Sequence, residues 1–534
     1  MVDAMTKPTT LASQNDVTHP SVLAPTCLLV LLFFVYAGDA APMINEAHYL
    51  VKAKNFWQPD WCQYDLFASS GKAHATYYVA LGWLTKFVSL ETTAWVGRLI
   101  GWCLVATGLA RLCRALFRNR WASIVVAIVW MAGVEYGNLA GEWVIGGTEA
   151  KVPAYGFVLM GLAELVHRRW NRVWVYLGAA SAFHVLTGGW SVVAAMLAWC
   201  LTERNRDDRY PFWTTGLFVG GGLSLFGLVP AIALSMGVTD AESIAAAKIY
   251  SYFRIRHHLL PADFDGWWYV RHGITLVISS AGIAIFLRQS RKLQRLYAFA
   301  LGAVLIAGGG LVVGSLPAAM PDLAAKLLRF YWFRLSDAIV PLILGVLVMQ
   351  AIIDQRTWLR STGFGLFLIA MGLVGFSVHD RTRIPVPPST DNRTLGWDAD
   401  ASAETQASTF TDWLKVCYWA KQSTPASEVF LTPRHQQTFK WYAERAEVVN
   451  WKDVPQDAKS LFEWDRRFAD VFPTRLGTIR VTIGYRALRD YRDRYGVRFM
   501  IVDRRVVGED LPLVRVYPLQ SEDNPTYAVY ELPR

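Results

Sequence analysis

The chain has 534 residues, of which 53% are hydrophobic and only 18% charged, and its formal net charge is +10 at pH 7. It is too apolar for an ordinary soluble protein and too long for a single core. The positive charge does not indicate nucleic acid as a partner, because the arginines stand in short groups between apolar runs. We therefore predict a polytopic α-helical membrane protein.

The apolar runs define a predicted transmembrane domain over residues 21–378. Eleven of them are long enough, or nearly so, to cross about 30 Å of hydrocarbon. Residues 1–20 are polar and lack the basic start of a cleaved signal peptide, so we expect a cytoplasmic tail. The runs begin near Ser21, Ala94, Trp121, Val152, Arg172, Gly189, Trp213, Arg271, Leu296, Leu335 and Ser361.

Basic residues between the runs predict the orientation. With a cytoplasmic N-terminus every inner loop is basic, as the positive-inside rule requires. The inner-loop cations are Arg111, Arg114, Arg118, Arg120, Arg168, Arg169, Arg172, Arg204, Arg206, Arg209, Arg288, Arg291, Lys292, Arg295, Arg356 and Arg360. The outer side then receives residues 38–93, 137–151, 237–270, 316–333 and the C-terminal domain.

The orientation depends on whether the chain crosses the membrane an odd or an even number of times, and two segments determine this number. Residues 173–201 fold as two short spans, because Gly188 and Gly189 allow a break between them. Residues 75–90 lie along the outer membrane surface, since a span there would move every downstream arginine group to the outside.

The chain after the last run changes composition. Residues 379–408 are rich in Pro, Ser, Thr and Asp and are predicted to be a linker. Residues 409–534 are predicted to form an extracytoplasmic α/β domain. Its expected strands are 428–431, 447–450, 497–502, 514–517 and 527–530, and its expected helices are 412–421, 457–469 and 485–495.

The first outer loop has Asn45-Glu46 and Tyr49 after the first span, then a predicted surface helix, and Arg98 at the opening of the second span. In these residues it resembles the first outer loop of the GT-C membrane glycosyltransferases, the class of protein mannosyltransferases, lipid A aminoarabinose transferases and oligosaccharyltransferases. The order of elements is similar over nearly the whole chain.

The resemblance implies transfer of a sugar from a polyprenyl-phosphate donor to a lipid, glycan or protein acceptor at the outer face, with a carboxylate as base. Asn45 departs from the family pattern, which usually has an aspartate at this position. Since an amide cannot accept a proton, another residue must be the base. Glu46 and Asp39 are therefore the predicted catalytic acids, with Asp65 as a further candidate. The alternative for Glu46 is a structural charge at a helix start.

The second outer loop contains Glu142, Glu149 and Lys151 within a short, glycine-rich segment. The two glutamates could supply a second acid or a metal ligand. The alternative, in which Glu149 and Lys151 only balance charge beside the membrane, is equally compatible with the spacing. A divalent cation is therefore one possible cofactor, and no metal site is assigned.

Cations in the later outer loops oppose the positive-inside trend and need a local reason. Arg254, Arg256, His257 and His258 suit a phosphate, which arginine binds in a bidentate manner, better than a zinc ion, for which the spacing is wrong.

The loop before the tenth span adds Arg329, and Arg334 one helical turn from Asp337. Donor-phosphate binding and a structural salt bridge between helices are both open for this pair.

The leading hypothesis is a cell-membrane glycosyltransferase whose partners are the lipid bilayer and a polyprenyl-phosphate-linked sugar. The main alternatives are a carrier or flippase for a lipid-linked anion, which would need repeat-related broken helices, and a non-catalytic scaffold. A cavity in which Glu46 does not meet Arg254 or Arg256 would favour the scaffold. Aromatic and charged residues of the C-terminal domain, such as Lys440 and Trp451, are expected to pack it onto the membrane portion or to cover the active cavity. Sugar stacking and contacts to sugar hydroxyl groups are the alternative. The oligomeric state is not predicted.

Overall fold

The computed structural model describes residues 22–390, 396, 400–472, 484–507 and 511–534. The predicted tail 1–20 lies outside the described residues, as does part of the predicted linker. The described chain is mostly helical and ends in a small sheet domain.

The helices of the first part follow one another with short connections. They are α1 Leu23–Ala37, α2 Glu46–Trp57, α3 Leu66–Ser69, α4 Ala75–Leu81, α5 Leu90–Leu116, α6 Ala122–Gly137, α7 Lys151–Val166, α8 Trp170–Phe183, α9 Val185–Thr202, α10 Thr215–Ala233, α11 Asp240–Lys248, α12 Arg256–Leu259, α13 Gly266–Phe286, α14 Arg291–Ser315, α15 Pro321–Leu328, α16 Arg334–Ile352 and α17 Thr357–Thr382. A π-helix, Ile249–Arg254, joins α11 to α12.

Seven of the described helices are long and apolar enough to cross a membrane, as expected for a multi-pass membrane protein. They are α5, α9, α10, α13, α14 with its 3₁₀ extension, α16 and α17. Each of the eleven predicted runs coincides with one helix, but α1, α6, α7 and α8 have only 14 to 16 residues. The count of eleven spans therefore stays a prediction.

The break between α8 and α9 lies at His184, four residues before the predicted glycine pair. The His184 ring accepts a hydrogen bond from the Thr187 backbone N–H at 3.2 Å and so caps α9. Gly188 lies inside α9, and a Cβ atom there would come within 2.1 Å of the Ser181 backbone nitrogen. The glycine is thus required for close packing of α8 on α9, while the histidine makes the break.

Residues 75–90 form α4, which has seven residues, followed by the 3₁₀ helix Gly82–Lys86. At about 1.5 Å per residue α4 extends only about 10 Å, which is far too short to cross a bilayer. The Ser89 hydroxyl then accepts from the Thr92 N–H and starts α5.

The C-terminal domain has a five-stranded mixed sheet in the order β2-β1-β3-β5-β4. Its elements are α18 Ala403–Ser423, β1 Val429–Leu431, α19 Phe439–Ala443, β2 Ala446–Glu447, α20 Ala458–Val471, α21 Tyr485–Tyr495, β3 Val497–Asp503, α22 Arg504–Val507, β4 Val514–Tyr517 and β5 Tyr527–Glu531. The strand β1 is parallel to β2 and β3, whereas β5 is antiparallel to β3 and β4. All five predicted strands are present, although β2 is shorter than predicted and begins one residue earlier.

Candidate functional site

Three of the loops predicted to lie on the outer side meet α2 and the C-terminal domain around one cavity of about 180 Å³. Its lining is polar and charged. It is formed by Asn45, His48, Tyr49, Ala140, Gly141, Glu142, Trp143, Glu149, Lys151, Tyr250, Arg254, Ile255, His257, His258, Tyr331, Arg334, Lys452, Val454 and Gln456.

The carboxylates of the cavity wall are held by cations and an amide. Lys151 Nζ lies 3.2 Å from Glu142 Oε1 and 3.7 Å from Glu149 Oε2, and Arg334 Nε lies 3.1 Å from Glu142 Oε2. The side-chain nitrogen of Asn45 donates to Glu149 Oε1 at 2.5 Å. The charge-balancing contact between Glu149 and Lys151 is thus present, and it lies on the wall of the cavity.

Glu149 is a buried acid with a perturbed affinity for protons. Burial raises the pKa of its carboxyl group, and the nearby Lys151 ammonium and the Asn45 amide only partly offset that effect. A carboxylate with a raised pKa is a better proton acceptor than a solvated one, provided that it is ionised. Asn45 stands where the resembling family usually has an aspartate, and in this chain its amide donates a hydrogen bond to the Glu149 carboxylate.

The permanent cations of the lining are Lys151, Arg254, Arg334 and Lys452, and they exceed the two glutamates in charge. His258 adds no charge at neutral pH, because burial lowers its pKa to about 3. Its Nδ1 atom lies 2.6 Å from the Ala140 carbonyl oxygen. The cavity consequently favours an anionic ligand through lysine and arginine, and His258 supports the wall.

The predicted phosphate-binding arginines separate in the structure. Arg254 lines the cavity, and burial lowers its pKa to about 10, so it stays charged. It also donates to the Trp451 carbonyl oxygen at 2.5 Å and stacks on the Trp451 ring. Arg256 forms an exposed ion pair with Asp263 away from the lining, which corrects its assignment to the same cluster.

Arg329 stands behind the cavity wall. It donates to the Gln456 carbonyl oxygen at 3.3 Å and lies over the Tyr250 ring. Both of these partners line the cavity. Arg329 thus joins the membrane portion to the C-terminal domain and does not itself reach the cavity.

Arg334 and Asp337 do not form a salt bridge with each other. Asp337 accepts from the backbone N–H groups of Leu139 and Ala140, both at 2.8 Å. Arg334 turns to Glu142 and to His184 Nε2, which is 2.8 Å from its Nη1 atom. Asp337 therefore fixes the second loop on α16, which brings that loop to Arg334.

Glu46 lies outside the cavity and in a different environment from the one expected for a base. Its carboxylate accepts from Arg98 Nε and Nη2 at 2.7 and 2.6 Å and from the backbone N–H groups of Met43 and Thr148. Glu46 and Arg98 are both fully buried. The pair thus ties α2 to α5 and to the second loop, which matches the structural alternative for Glu46.

Asp39 is also absent from the cavity lining. It is half-buried after α1, and its Oδ2 atom has no hydrogen-bond partner in the described part of the chain. Burial raises the pKa of this carboxyl group. The Asp39 main-chain carbonyl, rather than its side chain, accepts a hydrogen bond from Arg98 Nη1 at 2.5 Å.

Asp65 belongs to a buried charge cluster that joins the first loop to the C-terminal domain. Lys440 Nζ lies 2.5 Å from Glu447 Oε1, 2.8 Å from Asp453 Oδ2 and 3.4 Å from Asp65 Oδ2. These side chains are 1 to 3% exposed. The other Asp65 oxygen accepts from the Ala68 N–H and caps α3. Asp65 is thus a docking residue, and it has no access to the cavity.

Several lining residues were not singled out from the sequence. His48 is one helical turn from Asn45 and contacts Asp453 Oδ1 at 3.2 Å, while Tyr250 and Tyr331 share a hydrogen bond at 2.9 Å. The position of His48 in α2, near Asn45, was the only available signal. Among the described residues, no group of three or more His, Cys, Asp or Glu side chains is arranged to hold a metal ion.

Comparison with known families adds one match. Residues 411–471 match the model of a domain of unknown function, DUF6798, and no curated protein matches the chain. The matched segment contains Lys440, Glu447 and Asp453 of the buried cluster, and Lys452 and Gln456 of the cavity. The part of the C-terminal domain that resembles a known family therefore includes the helices that pack against the short helices α2, α3 and α11.

Proposed function

We propose that the chain is a membrane glycosyltransferase of the GT-C type, which transfers a sugar from a polyprenyl-phosphate donor to an acceptor hydroxyl at the outer face. The observation that carries the proposal is the meeting of Glu149 with Lys151, Arg254, Arg334 and Lys452 around one cavity. An acid for proton transfer and cations for a phosphate are the groups that this reaction needs.

The orientation rests on charge. The predicted inner loops contain the arginine groups, so the cavity and the C-terminal domain lie on the opposite, extracytoplasmic side, and the cytoplasmic face holds the N-terminus. If all eleven helices that coincide with the predicted runs cross the membrane, the number of crossings is odd and the two ends of the chain lie on opposite sides. A lipid-linked donor would then approach the cavity from the outer leaflet of the cell membrane.

Glu46 meets neither Arg254 nor Arg256 in the cavity, which is the condition given above as favouring a non-catalytic scaffold. The proposal of an enzyme therefore rests on Glu149 as the base, because Glu46 is enclosed by Arg98 and backbone donors. In the proposed step the Glu149 carboxylate accepts the proton of the acceptor hydroxyl, whose oxygen bonds to the anomeric carbon of the sugar. The bond from that carbon to the phosphate oxygen breaks, and the electron pair leaves with polyprenyl phosphate. Arg334 and Lys151 lie on the same wall as Glu149 and would stabilise the departing phosphate.

A carrier for a lipid-linked anion is the second candidate, because the same cations would bind the donor during transport. The two functions differ in what becomes of the bond between sugar and phosphate. A carrier needs no proton acceptor in the cavity, so the buried, hydrogen-bonded Glu149 favours the transferase.

The test is transfer of radiolabelled sugar from polyprenyl-phosphate donors by the purified full chain. Glu149→Gln keeps the size of the side chain and removes the proton acceptor, so we expect a fall of about a hundredfold or more in the transfer rate. The exposed Glu522→Gln in the C-terminal domain is the matched control and should be as active as wild type. Equal transfer by wild type and Glu149→Gln would remove the proposed base.

A further inference from the structure

A second, larger cavity lies at the other end of the helices, far from the one described above. It is a groove of about 800 Å³ between α9, α13, α14 and α16. On α13 its lining extends from Leu276 to Ile283, which corresponds to about 10 Å of helix, and Arg288 lies two residues beyond the end of α13. Because α13 starts next to the polar cavity, Arg288 marks the opposite end of the membrane portion.

The groove is apolar along its length and cationic at one end. Leu276, Ile283 and Leu301 form part of the apolar wall, and Arg288 and Arg291 stand at the end. No carboxylate lines the groove within the described residues. An elongated apolar slot that ends in positive charge is complementary to a long hydrocarbon chain with an anionic headgroup.

The arginines at this end differ in whether they already have partners. Arg206 is paired with Asp208, and Arg295 donates to the Val166 carbonyl oxygen at 3.0 Å. Arg288 and Arg291 are exposed, and in the described part of the chain neither side chain forms an ion pair or a hydrogen bond. These two guanidinium groups are therefore available for a ligand.

Buried polar groups of the wall point to the same conclusion. The hydroxyl groups of Ser279 and Tyr297 are buried, and each lacks a hydrogen-bond partner among the described residues. A buried hydroxyl without a partner is unfavourable, because the loss of its hydration is not compensated. A ligand whose phosphate lies at Arg288 and Arg291 could accept a hydrogen bond from Tyr297 through an ester oxygen, because Tyr297 is six residues along α14 from Arg291. Ser279 is about 13 Å from Arg288 along α13 and would lie beside the acyl chain.

The groove also opens toward the surface that lipid would contact. Leu301 on its wall is 46% exposed, and the neighbouring Val277 on α13 is 69% exposed. Exposed apolar side chains on a membrane helix face hydrocarbon, so a lipid can enter from the side. We propose that this groove binds one anionic phospholipid of the bilayer, with its phosphate on Arg288 and Arg291 and an acyl chain along α13 and α14.

The test is binding of phosphatidylglycerol to the detergent-purified full chain, followed by native mass spectrometry, with phosphatidylcholine of the same acyl chains as the neutral probe. The double variant Arg288→Gln/Arg291→Gln should bind phosphatidylglycerol roughly thirtyfold more weakly, as expected from the loss of two basic residues near an anionic headgroup. Ser280→Trp, at the exposed edge of the groove, should weaken binding at least about tenfold while the charges remain.

The control is Arg118→Gln/Arg120→Gln, which removes two exposed arginines from another predicted inner loop and should bind like wild type. Equal binding of the two lipids by wild type would overturn the proposal. So would full binding by Ser280→Trp, or an equal loss in the control. Complete displacement of phosphatidylglycerol by millimolar inorganic phosphate would show that Arg288 and Arg291 bind a soluble anion and not a lipid headgroup.

Discussion

Replacement of Lys440 by methionine is expected to loosen the C-terminal domain from the membrane portion. Lys440 is buried between Asp65 of the first loop and Glu447 and Asp453 of the C-terminal domain. Methionine has a similar length but no charge, so the three carboxylates would remain buried without their cation. Such a change leaves the packing nearly intact and removes the electrostatic compensation.

The magnitude follows from the burial of the cluster. Removing one partner of a buried ion pair costs about 3 to 5 kcal/mol, because the remaining charge stays desolvated. The control is Lys421→Met, which removes a partly exposed pair with Glu444 and should cost about 1 kcal/mol or less. The difference between the two variants thus isolates the effect of burial.

The pH dependence of the defect can be worked out from the carboxylates. Burial alone would raise the pKa of Asp453, but Lys440 and the hydrogen bond to His48 hold it well below the usual value. This contribution to stability is present above the ordinary aspartate pKa and is lost as the pH falls through the folded value. Without Lys440, burial raises the pKa of the Glu447 and Asp453 carboxyl groups, and their destabilising effect is relieved as they become protonated. The defect should therefore be smaller at pH 5 than at pH 8.

The assay is the free energy of domain opening in the detergent-solubilised full chain, obtained from protease susceptibility across a urea series. A loss of less than 1 kcal/mol for Lys440→Met, or a loss that does not change between pH 5 and pH 8, would show that Lys440 does not compensate the buried carboxylates.

Three further outcomes are expected. A double-mutant cycle of Glu46→Ala and Arg98→Ala, followed by thermal unfolding, should show a coupling of about 2 kcal/mol; additive effects would contradict the buried pair. In the transfer assay, Lys151→Met should move the acid limb of the pH–rate profile to higher pH, since Lys151 lowers the raised pKa of Glu149; an unchanged profile would exclude Glu149 as the titrating base. A Cys at Glu522 should react with a membrane-impermeant thiol reagent on intact cells, compared with the native cysteines alone; reaction only after permeabilisation would reverse the proposed orientation.

The helices of the membrane portion could be predicted from hydrophobic runs, because a span in lipid needs a continuous apolar segment and little else. The residue at which α8 ends was harder to predict from the sequence. Glycines at 188 and 189 suggested the break, but a histidine that caps the next helix decided it. Capping depends on a side chain meeting a backbone N–H, which composition alone does not reveal.

The candidate site was only partly predictable for a similar reason. The charged residues of the outer loops could be recognised as unusual, and Glu142, Glu149, Arg254 and Arg334 do meet around one cavity. Their partners could not be assigned, since a charge takes the nearest opposite charge or backbone donor in three dimensions. Glu46 found Arg98 and two N–H groups, and thereby became part of the framework.

The packing of the C-terminal domain on the rest of the chain was predicted, but the residue pairs that form the contact were not. Lys440 and Trp451 belonged to an aromatic and charged set that was expected to pack on the membrane portion. The structure shows that Lys440 joins Asp65 across 375 positions of sequence, and that Trp451 supports Arg254. Contacts of such separation leave no periodic pattern, so neither pairing has a local sequence signal.

The central claim is that chemistry takes place in the cavity that contains Glu149 and Arg334. The most direct measurement is the amount of free polyprenyl phosphate released per sugar transferred, with the purified chain in detergent micelles, where no compartments exist and transport cannot register. We expect one polyprenyl phosphate per glycosylated product, with the amounts of both falling together in Glu149→Gln. Donor that binds to the wild-type chain but is recovered intact after prolonged incubation with acceptor lipids, glycans and peptides would contradict it.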